Sequence, residues 1–326
     1  MRCEIFSLAI LFAGAQALPQ APAAPAAQPK SISIADILGA LAQMIIGGQP
    51  GAQPGGSINT PEALASPGTG KFRPHFFNDS TLPDHTIYQP KDIPAGFKAP
   101  LIVWGNGGCI ASGTIMAPFL LQLASQGAVV ISNGAPGANG TGSYASFGTL
   151  GRSSSKWLTN AIDWAEKSAG QEKWKHIDMT RVAAAGQSCG GGEAYGVETD
   201  PRVKVMGIFN SGGMGFGSSA KSFTKPIFYF LGGPKDIAYS QGTGDYKALP
   251  ADLPAWIGNW PPTSHGGTFN EVNGGVYGVA GAHWVNYALR GDKAEAAWFT
   301  GGGAKKDNWT EVDSKNMDKF TPPPPL

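Results

Sequence analysis

Short apolar runs separated by longer amphipathic stretches organise the middle of the chain. Residues 101–104, 128–132, 182–185, 203–209, 226–231 and 255–260 are compact, mostly apolar runs, the pattern of strands buried on both faces. Between them, 115–124 and 157–165 repeat apolar residues at helical spacing, 193–197 is compatible with a helix, and 277–289 reads as a closing helix. Strand then helix, repeated without any internal sequence repeat, predicts an α/β domain over 71–292: a mostly parallel central sheet with helices on both faces. Beyond Gly291 the chain turns polar and ends in four prolines at 322–325, so 293–326 is expected to be a strapped-on or frayed tail.

The pattern differs ahead of residue 71. Residues 18–70 carry eight prolines and only three charged side chains, Lys30, Asp36 and Glu62, a composition for a linker or pro-segment rather than a core. Within it, Ile34, Ile37, Leu38, Leu41 and Ile45 fall at helical spacing. Ser33 is placed to cap, Asp36 lies three residues on, and Gly47-Gly48 ends the run, which predicts a short amphipathic helix over 33–46. It is either docked on the domain or held by a partner or pro-segment role. Residues 1–17 read as a secretory signal: Arg2 supplies the positive start, 5–13 is mostly apolar, and Ala15-Gln16-Ala17 suits cleavage. That run is far shorter than the ~20 residues of a membrane-spanning helix, and no other segment is long enough.

Composition narrows the function classes. Hydrophobic residues make up 42% of the 326, charged ones 14%, and the formal net charge is +1. Neither a disordered chain nor a nucleic-acid binder driven by electrostatics fits that balance. Secretion gives meaning to three glycosylation sequons, at Asn78, Asn139 and Asn308. It also leaves Cys109 and Cys189 as a pair in an oxidising compartment once Cys3 departs with the signal.

The chemistry concentrates where the strand 182–185 runs into Gly186-Gln187-Ser188-Cys189-Gly190, followed by helix-compatible sequence. This is the strand, sharp turn and helix of a nucleophile elbow. Small residues two before and two after the serine are needed because the turn crowds the neighbouring backbone. A serine hydroxyl requires a base and an orienting acid, which hydrolases built this way supply in the chain order serine, acid, histidine. Asp236 follows the strand 226–231 in a Gly-Gly-Pro-Lys-Asp turn and is the candidate acid, with Asp245 as the alternative; Asp200 precedes a strand at the wrong end of the sheet. His265, in a Ser-His-Gly-Gly loop shortly after the strand 255–260, is the candidate base. His283, inside the closing helix, is the alternative. His75, His85 and His176 fall outside the order, and no histidine pair has zinc-ligand spacing, so neither metal nor cofactor is expected.

Acyl transfer also needs N–H donors for the developing oxyanion. One is the Cys189 amide. The second is expected from Gly105-Asn106-Gly107-Gly108-Cys109 after the strand 101–104, with Gly108 or Cys109 as the donor. Both segments end in cysteine. Two loops converging on one carbonyl oxygen bring Cys109 and Cys189 together, which predicts a disulfide; two separate buried thiols are the alternative. Trp104, Trp256 and Trp260 either line a pocket near this cleft or pack the core.

The paired GNGGC and GQSCGG segments, with LGGPKDIAY and SHGGT downstream, resemble those of secreted, fungal-type α/β-hydrolases over about 71–292. The resemblance implies the α/β-hydrolase fold and a triad of Ser188, Asp236 and His265; Ser264 stands where the family more usually has glycine. Similarity to dienelactone hydrolases is partial, since Ser188 occupies the place of their cysteine. The expected activity is hydrolysis of a carboxylic ester, small or polymer-linked, by a serine esterase. A serine peptidase or amidase, and a non-catalytic secreted or wall-associated binding protein on the same scaffold, are the rival classes.

Overall fold

The structure, a computed structural model, describes residues 58–137, 142, 144–217 and 219–326. The signal sequence, the helix expected over 33–46 and the sequon at Asn139 lie outside the described residues.

Among the described residues, nine strands form one sheet in the order β1-β2-β4-β3-β5-β6-β7-β8-β9. The strands are β1 (Pro74–Asp79), β2 (Leu82–Pro90), β3 (Ala99–Gly105), β4 (Val129–Asn133), β5 (Ile177–Gln187), β6 (Val203–Phe209), β7 (Ile227–Leu231), β8 (Ala255–Asn259) and β9 (Thr310–Lys315). Strands β3 to β8 pair in parallel, while β1, β2 and β9 pair antiparallel at the two edges. Helices cover both faces, an α/β architecture consistent with an α/β-hydrolase fold.

Alternation along each central strand builds two cores. Ile102 and Trp104 of β3 and Phe228 and Phe230 of β7 pack with α2 (Ala117–Ser125) and α6 (Gly275–Trp284), which continues as a π-turn over Val285–Leu289. Leu101, Val103, Ile227, Tyr229 and Leu231 face the other way. They pack with Leu158, Ala161, Ile162 and Ala165, spaced along one face of α3 (Ser155–Ser168). Trp104 and Trp256 are wholly buried in the first core, so of the three tryptophans only Trp260 keeps partial exposure. No helix among the described residues is long and apolar enough to cross a membrane.

Two segments of low apolar content join the sheet. Asp79 and Leu82 pair across Ser80-Thr81 to close the β1-β2 hairpin, and Asp79 Oδ1 accepts from the Thr81 N–H at 2.9 Å. At the other edge, residues after Gly291 are strapped onto β8 through β9, after α7 (Ala296–Phe299) and α8 (Gly303–Lys306). Buried Trp298, Phe299 and Trp309 hold that stretch down. The short helix α1 (Pro61–Ala65), capped by Thr60, lies within the proline-rich segment. Its approach is tied to the domain by Asn59 Nδ2 donating to Thr114 O at 2.8 Å.

Strand order positions the site. The chain leaves β3 for the outer strand β4 and then crosses back to β5, so β3 and β5 are neighbours whose following loops diverge. Crevices at such switch points, outside the carboxyl ends of the strands, are where ligands bind in open α/β sheets. Gly105 pairs with Gly186 there, which sets the GNGGC loop beside the elbow.

Candidate active site

Ser188 sits between β5 and α4 (Cys189–Tyr195) with φ 53° and ψ −124°, a conformation that costs a non-glycine residue about 1–3 kcal/mol. The neighbours hold it there. Its N–H donates to Phe209 O at 3.0 Å, and its carbonyl accepts from Ser211 Oγ at 2.6 Å. Backbone crowding explains the flanking glycines: a Cβ on Gly190 would stand 2.0 Å from the Gly105 carbonyl carbon. Gly190→Ala must therefore pry the elbow from β3. A loss of about 2–3 kcal/mol in unfolding free energy is expected by denaturant titration, and a change within about 0.5 kcal/mol, the range of surface substitutions, would contradict that crowding.

The three residues named from chain order come together. His265 Nε2 is 2.8 Å from Ser188 Oγ, and His265 Nδ1 is 2.6 Å from Asp236 Oδ1. Asp236 follows β7 in a turn whose backbone binds it: Ala238 N–H donates to Oδ1 and Gly232 N–H to Oδ2, each at 2.9 Å. Burial favours the neutral acid, but the hydrogen bond and charge of His265, with the Ala238 and Asn210 donors, outweigh it and hold the Asp236 carboxyl below its ordinary range. Gln187, beside Ser188, donates to the His265 carbonyl at 3.1 Å. All three triad candidates are buried; Ser188 is 1% exposed.

The alternatives have other partners. Asp245 accepts from Tyr195 Oη at 3.0 Å and from the Gly213 N–H at 2.6 Å. His283 pairs with Glu295 and stacks on Trp298. His85 and His176 bind Trp157 O and Gln89 Oε1. Among the described residues, no three His, Cys, Asp or Glu side chains gather as a metal-binding group.

The GNGGC loop forms a single 3-10 turn, Gly107–Cys109, with Gly108 at φ 63°. Cys109 and Cys189 are joined by a disulfide, with Cα atoms 5.2 Å apart. Of the three candidate oxyanion donors, Cys109 directs its N–H back to Asn106 O at 3.1 Å. Cys189 begins α4, where N–H groups lack intrahelical acceptors, and Gly108 is the second residue of its turn. Asn106, which no motif singles out, is wholly buried and spans the loop: its Nδ2 reaches Asn133 O at 2.6 Å, Ile110 O at 3.1 Å and Ser112 O at 3.2 Å.

Behind the loop, Glu193 of α4 is fully buried. Its Oε1 accepts from Ser153 Oγ at 2.6 Å and its Oε2 from Asn133 Nδ2 at 2.8 Å. Burial, only partly opposed by those bonds, pushes the carboxyl from its ordinary 4.5 up to about 7. Its favourable contribution is whole below pH 4.5 and falls away as pH rises to about 7, because the unfolded chain releases the proton first. Gln preserves the shape without titrating: its oxygen accepts from Asn133 Nδ2 and its NH2 donates to the Ser153 hydroxyl, which accepts as well as donates. The stability of Glu193→Gln relative to the parent should therefore rise between pH 5 and pH 8, by up to about 3 kcal/mol; a flat difference in pH-dependent unfolding would contradict the shift.

Of the sequon asparagines, Asn78 and Asn308 are exposed, and Asn78 Nδ2 donates to His85 O at 2.8 Å. No family model and no curated protein matches the chain.

Proposed function

We propose that this chain is a secreted carboxylic-ester hydrolase of the fungal-type α/β-hydrolase kind, with Ser188 as nucleophile, His265 as general base and acid, and Asp236 as the orienting carboxylate. The observation that carries this reading is the continuous relay Ser188 Oγ to His265 Nε2, 2.8 Å, and His265 Nδ1 to Asp236 Oδ1, 2.6 Å. It lies at the switch point of the sheet, against a loop cross-linked to the elbow.

In the proposed reaction Ser188 Oγ attacks the ester carbonyl carbon while its proton passes to His265 Nε2. The carbonyl oxygen takes the negative charge and is met by the amides of Cys189 and Gly108. Collapse of this intermediate breaks the bond to the alcohol, which leaves with the proton from His265 and the acyl group on Ser188. Water, deprotonated by His265, then attacks the acyl carbon and releases the acid and the serine. Asp236 keeps the Nδ1 proton in place and stabilises the imidazolium in both halves. The chain's own groups thus supply every proton movement.

With Ser188 1% exposed and His265 4% exposed, the approach to the hydroxyl is narrow. That favours an ester with a small acyl group, whether free or carried as a side group on a polymer. The disulfide suits an extracellular setting. The test is a panel of acetyl, feruloyl and short-chain aliphatic esters against the matching amides. The expected result is a burst of about one alcohol per chain on a short acyl ester, with amides turned over far more slowly. Turnover of amides at comparable rates would select the peptidase or amidase reading, and no turnover of either would favour a binding protein.

A further inference from the structure

Asn210 follows the last residue of β6 with φ 43°, a left-handed conformation that asparagine tolerates better than most side chains. Its N–H donates to Phe230 O at 2.7 Å, which ties it to β7, and the residue is wholly buried. In this pose Nδ2 stands 2.9 Å from Asp236 Oδ2, 2.9 Å from the Ser264 carbonyl oxygen and 3.0 Å from the Tyr277 hydroxyl. Two N–H groups are shared among three oxygens, from the turn after β7, the loop after β8 and α6. The Asn210 Oδ1, by contrast, is buried with no hydrogen-bond partner. Turning the amide over would set that oxygen against a carboxylate and a carbonyl, so the acceptors dictate its orientation.

We propose that Asn210 is a positioning residue of the Ser188-His265-Asp236 relay, its one amide nitrogen bridging the acid to the backbone that carries the histidine. The bridge holds Asp236 Oδ2, which leaves Oδ1 aimed at His265, and it pins the carbonyl of Ser264, the residue next to the imidazole. The seam it spans is tight. Ser264 has φ 51°, its Oγ donates to Lys235 O at 2.6 Å, and a Cβ on Gly232 would lie 2.0 Å from Ser264 O. The titratable groups facing the Asp236 carboxylate are His265 and Tyr277. Without Asn210, Oδ2 keeps a single donor, the Gly232 N–H. The proposal rests on the triad reading for its catalytic meaning, while the bridge itself is testable without turnover.

Asn210→Gly keeps the left-handed backbone and deletes the amide. In the full chain with 13C-labelled aspartate carboxyls, and the Asp236 signal assigned by Asp236→Asn, the Asp236 titration midpoint is expected to rise by about one pH unit in Asn210→Gly. A merely structural asparagine would lower the unfolding temperature and leave that midpoint in place. A midpoint unchanged in the folded variant overturns the proposal. Should Asn210→Gly fail to fold, the isosteric Asn210→Asp decides. Two carboxyls then share the position, and one signal is expected to titrate above the ordinary carboxyl range; its absence overturns the bridge. Fluorophosphonate labelling of the parent chain, run in parallel, separates the two ideas: no labelling sinks the catalytic reading, while the Asp236 titration still decides the bridge.

Discussion

Ser188→Ala should cut kcat/KM for the best ester of the panel by about 10⁴–10⁶-fold, and His265→Ala by a similar factor. Without the oxygen there is no acyl-enzyme. Without the imidazole, 2.8 Å away, nothing takes the proton as the bond to the carbonyl forms. Asp236→Asn leaves a group of the same shape 2.6 Å from Nδ1 but supports the wrong tautomer and no longer balances the imidazolium, so a loss of about 10⁴-fold is expected. These groups act as one unit, so a double Ser188→Ala/His265→Ala variant should be scarcely worse than either alone. Additive losses, measured by steady-state kinetics, would mean that the two side chains do not share a step. Folding should be unaffected by Ser188→Ala, since the elbow is held by its backbone bonds to Phe209 and Ser211 rather than by Oγ.

Loss of the cross-link is expected to have the largest effect on stability. The Cys109–Cys189 bond closes a span of 80 residues that contains α2, β4, α3 and β5. Chain entropy alone assigns such a loop about 4.5 kcal/mol, an upper bound. Both cysteines are buried, at 3% and 6% exposure, so Cys109→Ala/Cys189→Ala removes the bond without stranding a polar group. The double variant should unfold roughly 10 °C lower, or more. The bond also joins the two segments that carry the candidate oxyanion donors, so its removal should slow ester turnover at a temperature where the fold persists, by about 10²-fold or more. Free Cys109 and Cys189 thiols in the denatured, unreduced protein, or a variant as stable as the parent, would contradict this account.

How much of this could be read beforehand depended on where the signal was local. The strand 203–209 is apolar enough to read to the residue, and the elbow is legible because its glycines, its serine and the strand before it are contiguous. The edge strands were silent for a physical reason. In β1 (Pro-His-Phe-Phe-Asn-Asp) a proline and a histidine blur the pattern, and β9 reads Thr-Glu-Val-Asp-Ser-Lys, because an edge strand need bury only part of its surface; β2, paired on both sides, is broken up in sequence by Pro83, His85 and Pro90. Helix α5 (Tyr239–Ala248) contains Gly242 and Gly244, which erase its helical signature; Gly242 packs near Leu231 and the Ser211 carbonyl, where a side chain would clash. Asn106 and Asn210 could not be assigned from the sequence. Each follows a strand's end, and its role arises from a turn that aims its amide at oxygens far away in the chain, 27 residues on for Asn106 and Asn133 and 26 for Asn210 and Asp236.

The most direct measurement is intact-mass and peptide-mapping mass spectrometry of the parent chain after reaction with a fluorophosphonate. A single adduct on the peptide bearing Ser188, lost in Ser188→Ala and strongly slowed in His265→Ala, is the predicted result. An unmodified chain, or an adduct at any other residue, would contradict the assignment of this serine as the nucleophile.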